Sequence, residues 1–155
     1  MTGTHASTSA DIPDKEGMRV EFKSDKKQLH DNELVAAIIC LANSGGGDLF
    51  LGVEDNRKVT GISANRPKVT ALAAMIANKT MPRLSVEPSE LTVDGYTVYR
   101  FRVHAGAGPV ARIDGLYQKR QIKADGTPEC VAMQPHEIRG TVAGNIQSDY
   151  TADVV

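Results

Sequence analysis

Apolar residues recur with helical spacing in two segments of the chain. The first segment has apolar side chains on more than one side, at Leu34, Val35, Ile38, Ile39, Leu41 and Ala42. Asp31 or Asn32 is placed to cap its start. The second segment has the spacing i, i+3, i+4 and i+7, with Pro67 near its start and Pro82 past its end, at Val69, Leu72, Ala73 and Ile76. The pattern predicts two main helices, the first covered on several sides.

Shorter apolar and β-branched runs predict about six strands. They include MRVEFK, DLFLGV, VTGI, LTV, YTVYRFRV, VARI and LYQKRQIK, with EDNRK as a turn between the second and third runs. Asp94-Gly95 and Asp114-Gly115 are predicted hairpin turns, and Asp125-Gly126 is expected to end the last strand. A short helix is expected to start near Pro135. We therefore predict an α+β fold in which two main helices pack on a mixed β-sheet.

The stretch ANSGGGDLFLGVEDN has two interpretations, a phosphate-binding loop or a tight corner. A phosphate loop needs the order strand, glycines, helix, followed by a lysine and a hydroxyl. Here a predicted helix precedes the glycines and a strand follows them, with no Gly-Lys-Ser/Thr. Gly45 is placed as a left-handed helix cap. The glycines therefore indicate a close crossing from helix to sheet, which delivers Glu54 and Asp55 to the strand's end.

Composition indicates one compact domain. The chain has 155 residues, of which 41% are hydrophobic and 24% charged. We predict a disordered tail at 1–13, the domain at 14–144, and a tail or linker start at 145–155. Cys40 and Cys130 are interpreted as separate buried residues and not as a disulfide or a metal site. With no signal peptide or membrane-length apolar run, we expect a cytoplasmic protein without a membrane partner.

Charged residues suggest two kinds of site. The net charge is −1, so a nucleic-acid site would need a local basic cluster. The candidates for phosphate contact are Lys23, Lys26, Lys27, Arg57, Lys58, Arg112, Lys119, Arg120 and Lys123. Three carboxylates near predicted strand ends, Glu16, Glu21 and Asp55, could converge on Mg²⁺ or Mn²⁺. On spacing alone, ordinary surface acids account for the carboxylates better than a metal site does, and ordinary surface lysines account for the basic set as well as a binding groove does.

Several motifs together resemble the Schlafen AlbA-like domain family. They are EGMRVEFKS and AAIICLANSGGGDLFLGVEDNRKVTGI, which carry Glu-Phe-Lys, Ala-Asn-x-x-Gly-Gly, Gly-Val-acidic-Asp and Val-x-Gly, over about residues 16–62. A looser similarity continues through GPVARIDGLYQKRQIKADGTPECVAMQPHEI. The resemblance implies a nucleic-acid-binding domain, for DNA or RNA.

The resemblance also implies a second, catalytic function. In Schlafen ribonucleases, which cut tRNA and rRNA, a Glu-Glu-Asp triad supplies the metal site, and the matching positions are Glu16, Glu21 and Asp55. Such a metal-dependent endoribonuclease would use Mg²⁺ or Mn²⁺ as its cofactor. This chain carries one copy of a domain that those nucleases pair, and it lacks the zinc ligands of animal Schlafens.

The expected function is therefore a nucleic-acid-binding domain of a bacterial regulator or defence protein, with a metal-dependent endoribonuclease as the alternative. The non-catalytic alternative is a regulatory module in which the three acidic residues have a structural role. A homodimer is a further partner hypothesis. We also expect the chain to continue into further domains, with residues after about Gly144 packing poorly alone.

Overall fold

The computed structural model describes residues 11–138, together with the backbone of residues 4–7. Its centre is a five-stranded mixed sheet in the order β1-β5-β6-β3-β2. The elements are β1 Thr4–Ser7, β2 Val20–Lys23, α1 Asp31–Ala42, β3 Gly46–Leu51, α2 Val69–Asn78, β4 Thr80–Met81, β5 Glu87–Val93, β6 Tyr96–His104, β7 Ala111–Arg112, β8 Gln118–Ile122 and β9 Pro128–Ala132. A helical turn follows at residues 135–138. The predicted α+β fold, with two main helices on a mixed sheet, is confirmed.

Both main helices contribute to one apolar core with the sheet. Eight of the twelve residues of α1 are buried, so this helix is enclosed as its broad apolar surface predicts. Its side chains pack with those of α2 and with alternate residues of β3 and β6, such as Leu49, Phe101 and Val103. His30, rather than Asp31 or Asn32, caps the helix, because its Nδ1 accepts the backbone N–H of Asn32.

A second apolar cluster lies on the opposite face of the sheet. It consists of Ile12, Phe22, Phe50, Val53, Leu91, Val93 and Val98. Arg57 holds the segment around Ile12 in place, because its guanidinium donates hydrogen bonds to the backbone carbonyls of Ile12 and Pro13. The prediction of a disordered tail at 1–13 is thus wrong for residues 4–7, which pair in parallel with β5, and for residues 11–13. The tail expected at 145–155 lies outside the described residues.

Two of the three Asp-Gly turns have roles other than those predicted. Asp94-Gly95 joins β5 to β6 as expected. Asp114-Gly115 makes a tight turn after β7, but β7 pairs with β4, so no hairpin forms there. Asp125-Gly126, which was expected only to end a strand, is the turn of the β8–β9 hairpin. The predicted strand VTGI reduces to one bridge between Val53 and Val59.

The glycine run is a corner with a close backbone crossing. Gly45 has a φ of +93°, the left-handed conformation predicted for it. A Cβ on Gly47 would lie 2.3 Å from the carbonyl oxygen of Arg19. The backbone of β3 can therefore start beside the residue that precedes β2 only without a side chain at Gly47.

The two cysteines are paired, which corrects the prediction that they are separate. A disulfide joins Cys40 in α1 to Cys130 in β9, across 90 residues of sequence. Spacing could not reveal this pair, because the contact arises only when the β8–β9 hairpin packs on α1. Among the described residues, no helix has the length and apolar character needed to cross a membrane.

Candidate carboxylate site and basic surface

The carboxyl ends of β2 and β3 bring the predicted acids together. The two strands are parallel neighbours, with Glu21 opposite Leu49 and Lys23 opposite Leu51. The loops that leave them therefore start at the same edge of the sheet. This places Ser24, which follows β2, beside Glu54 and Asp55, which follow β3, around an open cavity of about 280 Å³.

Glu16 and Glu21 share a hydrogen bond at the free edge of β2. Oε1 of Glu16 also accepts the backbone N–H of Phe22 at 2.8 Å. Burial, followed by the hydrogen bond to Glu21 and the charges of Glu21 and Asp55, raises the pKa of Glu16 to about 8. Glu16 is therefore protonated at neutral pH and donates a hydrogen bond to Glu21.

Arg120 neutralises Glu21. Nη1 of Arg120 donates to Oε2 of Glu21 at 2.9 Å, and the arginine side chain is 1% exposed. Burial raises the pKa of Glu21, but the hydrogen bond from Glu16 and the charges of Lys23 and Arg120 outweigh it and lower the pKa overall. Lys23 is the weaker partner, with its Nζ 3.8 Å from Oε2 and its side chain 35% exposed. Glu21 is thus an ionised carboxylate with an internal counter-ion.

The carboxylates in this arrangement do not fit a divalent cation. Glu16 and Glu21 are hydrogen-bonded to each other, and Oε2 of Glu21 accepts a hydrogen bond from Arg120. Asp55 acts on Glu16 through its charge, and its side chain is exposed. Within residues 11–138 no group of three or more His, Cys, Asp or Glu side chains is placed to hold a metal ion. Proximity of the three acids was predicted from sequence, but the engagement of Glu21 by Arg120 was not.

Four of the nine predicted phosphate-binding residues are engaged inside the protein. Arg120 is buried on Glu21, and Arg57 bonds to the backbone of the N-terminal segment. Arg112 donates two hydrogen bonds to Asp114, and Lys119 forms an ion pair with Glu137. Each of these cations already has an acceptor, so it is poorly placed to contact a phosphate. Alternation along β8 predicted opposite faces for Lys119 and Arg120, and only the latter is buried.

The other predicted lysines remain on the surface. Lys23, Lys26, Lys27 and Lys58 all belong to the segments at the carboxyl ends of β2 and β3, whereas Lys123 lies at the start of the β8–β9 turn. Lys26 and Lys58 both lie close enough to Glu54 to help lower its pKa, which burial raises and hydrogen bonds from Thr60 and Ser24 lower. We call Lys23, Lys26, Lys27 and Lys58 the lysine rim, because they lie where β2 and β3 end.

Two important residues, Asn43 and Ser44, were not singled out from the sequence. The Asn43 side chain donates to the carbonyls of Val110 and Gln118 and accepts the N–H of Val110, each at 2.8 Å. Ser44 Oγ accepts the N–H of Arg120. The only signal for these residues was their place in the Ala-Asn-x-x-Gly-Gly motif.

Comparison with known proteins identifies the family of the chain. Residues 16–127 match the family described as Schlafen, AlbA_2. The chain belongs to this family. The Schlafen AlbA_2 region thus starts at Glu16 and includes the lysine rim and Arg120. No curated protein sequence matches the chain.

Two solved structures are similar to the chain. The crystal structure of the DIP2311 protein from Corynebacterium diphtheriae aligns with a TM-score of 0.64 at 19% identity, over 82% of this chain and 28% of that chain. The solution structure of the N-terminal domain of an ATP-dependent DNA helicase RecG-related protein from Nitrosomonas europaea aligns with a TM-score of 0.43 at 20% identity, over 77% of this chain and 79% of that chain. The chain thus spans less than a third of DIP2311, and the likeness to DIP2311 concerns the fold.

Proposed function

We propose that the chain is a nucleic-acid-binding domain that contacts the phosphate backbone of DNA or RNA through the lysine rim. Membership of the Schlafen AlbA_2 family supports this class of function. The observation that carries the proposal is the position of the rim. Three of its members are exposed and form no ion pair with another described residue, namely Lys26, Lys27 and Lys58. They lie at the edge of the sheet where β2 and β3 end. Lysine ammonium groups in this state attract phosphates without reading bases.

The experiment compares two double variants with equal charge changes. Lys26→Gln with Lys58→Gln removes two rim charges, whereas Lys68→Gln with Lys123→Gln removes two exposed charges from elsewhere. Fluorescence anisotropy with a labelled single strand measures affinity at several salt concentrations. The rim variant should bind more weakly, and its slope of log affinity against log salt should fall by about 1.4, at ~0.7 per lost contact. Equal losses in both double variants would refute a localised site.

A metal-dependent endoribonuclease is the second candidate, because Glu16 and Glu21 are in contact and Asp55 lies near them. The paired state of Glu21 argues against it, since Arg120 holds the carboxylate that an ion would need. We therefore favour binding without cleavage by this chain. In a longer protein, an attached domain would then supply the output, as in a regulator or a defence protein.

A further inference from the structure

We propose that Arg120 is the resident counter-ion of the Glu16–Glu21 pair and takes the place of a divalent cation there. The proposal goes beyond nucleic-acid binding and does not depend on it. It concerns a site within the chain, formed by β2, the residues before it and β8. Its evidence is the set of contacts that Arg120 makes and the way β8 is held in place.

The guanidinium of Arg120 lies in a nearly complete shell of acceptors. Its Nε and Nη2 donate to the carbonyl of Gly17 at 3.1 and 2.7 Å, and Nη2 also donates to the carbonyl of Val20 at 3.0 Å. Nη1 donates to Glu21 at 2.9 Å. A buried guanidinium is stable only when its donors and its charge are satisfied; these four bonds use four of its five N–H donors, and Glu21 supplies the counter-charge. Arg120 is therefore part of the site and not a surface residue that has folded over it.

The same contacts exclude a cation from Oε2 of Glu21. A Mg²⁺ or Mn²⁺ ion lies about 2.0–2.2 Å from each of its ligand oxygens. An ion at this distance from Oε2 would overlap the Arg120 nitrogen, which lies 2.9 Å from the same oxygen. Two cations on one carboxylate would also repel each other strongly in this buried position. Arg120 and a metal ion are thus alternatives at this carboxylate.

The end of α1 keeps Arg120 in position. Ser44 Oγ accepts the backbone N–H of Arg120 at 2.8 Å, and Asn43 Nδ2 donates to the carbonyl of Gln118 at 2.8 Å. Cys130, which is directly opposite Arg120 in the β8–β9 ladder, is bonded to Cys40 of α1. Three contacts from one helix thus set the place of β8. Because β8 is held in place, the Arg120 side chain can leave the site only by breaking its own hydrogen bonds.

The first test measures Mn²⁺ binding by electron paramagnetic resonance in the wild type and in three variants. Arg120→Gln removes the resident charge, and Arg112→Gln is the matched control, because its partner Asp114 is exposed. Arg120→Gln should bind Mn²⁺ at least about tenfold more tightly than the wild type, since a repelling charge is gone. Adding Glu21→Gln to Arg120→Gln should abolish the gain. A folded Arg120→Gln protein with no gain, or an equal gain in the control, would overturn the proposal.

The second test uses the wild type alone and so does not depend on the stability of a variant. Mn²⁺ broadens nuclear magnetic resonance signals of nearby nuclei. With Arg120 resident, the amide signals of residues 16–23 should broaden no more than those of exposed acids elsewhere, such as Asp94 and Asp114. Selective broadening around Glu16 and Glu21 would show a metal ion at the pair and would refute the proposal. Neither test measures nucleic acid, so failure here is distinct from failure of the proposed function.

Discussion

At the scale of single residues, buried ion pairs hold separate segments of the chain together. Asp25 and Arg66 form the clearest example besides the Arg120 site. Both side chains are almost fully buried, and Nε and Nη2 of Arg66 donate to the two oxygens of Asp25 at 2.9 and 2.7 Å. The backbone N–H groups of Leu29 and Ser63 donate to the same carboxylate. The pair thereby ties the loop after β2 to the loop before α2.

Asp25→Asn should lower the free energy of unfolding by about 3 kcal/mol, because it leaves the buried Arg66 with the partly exposed Asp31, at 3.8 Å, as its remaining ion-pair partner among the described residues. Burial raises the pKa of Asp25, but the hydrogen bonds from Arg66 and the two backbone N–H groups lower it overall. The pair therefore stabilises the protein fully above the unfolded pKa of about 3.9, and this contribution is lost as pH falls through the folded pKa. Urea unfolding between pH 3 and pH 7 measures both effects.

The control for this prediction is Asp114→Asn, which removes an exposed partner of Arg112 and should leave the urea midpoint nearly unchanged. The wild type should lose more stability on acidification than Asp25→Asn does. Parallel pH profiles for the two proteins would contradict the assigned role of Asp25.

The acids at the sheet edge allow a direct test of cleavage. We expect purified wild-type chain to leave tRNA intact in the presence of Mn²⁺ or Mg²⁺, because Arg120 holds Glu21. Glu21→Gln and Asp55→Asn should therefore change nothing in a gel assay of tRNA integrity. Binding should persist in Asp55→Asn, since loss of a carboxylate reduces repulsion of phosphates. Efficient metal-dependent cutting by the wild type, lost in both variants, would establish the nuclease instead.

At the scale of elements, the glycine corner and the β5–β6 turn show two different demands for glycine. At Gly95 the φ is +83° and a Cβ would meet nothing within 4 Å. At Gly47 a Cβ would collide with the backbone of Arg19 at 2.3 Å. The first position requires a conformation alone, whereas the second, where φ is +154°, also requires space between β3 and the residue before β2.

Gly95→Ala should therefore lower the free energy of unfolding by about 1 kcal/mol, the cost of a left-handed alanine. Gly47→Ala should cost clearly more, because the two backbones must separate at the start of β3. Denaturant unfolding of both variants gives the comparison. Equal losses would mean that the crossing beside Arg19 is looser than the structure has it.

At the scale of the whole molecule, the charges are divided among different surfaces. The net charge is −1, so the overall field does not attract nucleic acid. On β6, Arg100 and Arg102 both donate to Asp48, which neutralises part of their charge. In the lysine rim at the carboxyl ends of β2 and β3, three exposed cations, Lys26, Lys27 and Lys58, form no ion pair with another described residue, and Lys23 has a 3.8 Å contact with Glu21. Binding is thus expected to be local and electrostatic.

Affinity should fall steeply with salt and should be independent of sequence. Four rim contacts at ~0.7 each give a slope of about −2.8 for log affinity against log salt with a single strand. Anisotropy titrations with several shuffled sequences of one length measure this. Similar affinities are expected, because backbone contacts carry no base information. A strong preference for one sequence at high salt would indicate base recognition and contradict a site made of phosphate contacts.

The local pattern of the sequence was enough to predict the two helices, most strands and the corner at Gly45. These features depend on residues close together in the chain, such as the apolar spacing of α2 or the position of Gly45 after α1. The family motifs likewise predicted that Glu16, Glu21 and Asp55 lie near each other. The α+β fold and the membership of the Schlafen AlbA_2 family were both predictable from these signals.

Only the tertiary structure decided the partners of distant residues. The cysteine pair spans 90 residues, and Arg120 reaches Glu21 across 99 residues. Local spacing carries no information on such contacts, so Arg120 was predicted as a phosphate ligand when it is a buried counter-ion. The N-terminal segment was predicted as a tail for the same reason, because Ile12 is buried only against strands that come later in the chain. The chemistry of the site depends on these long-range contacts, since they determine which charges are neutralised and which remain exposed.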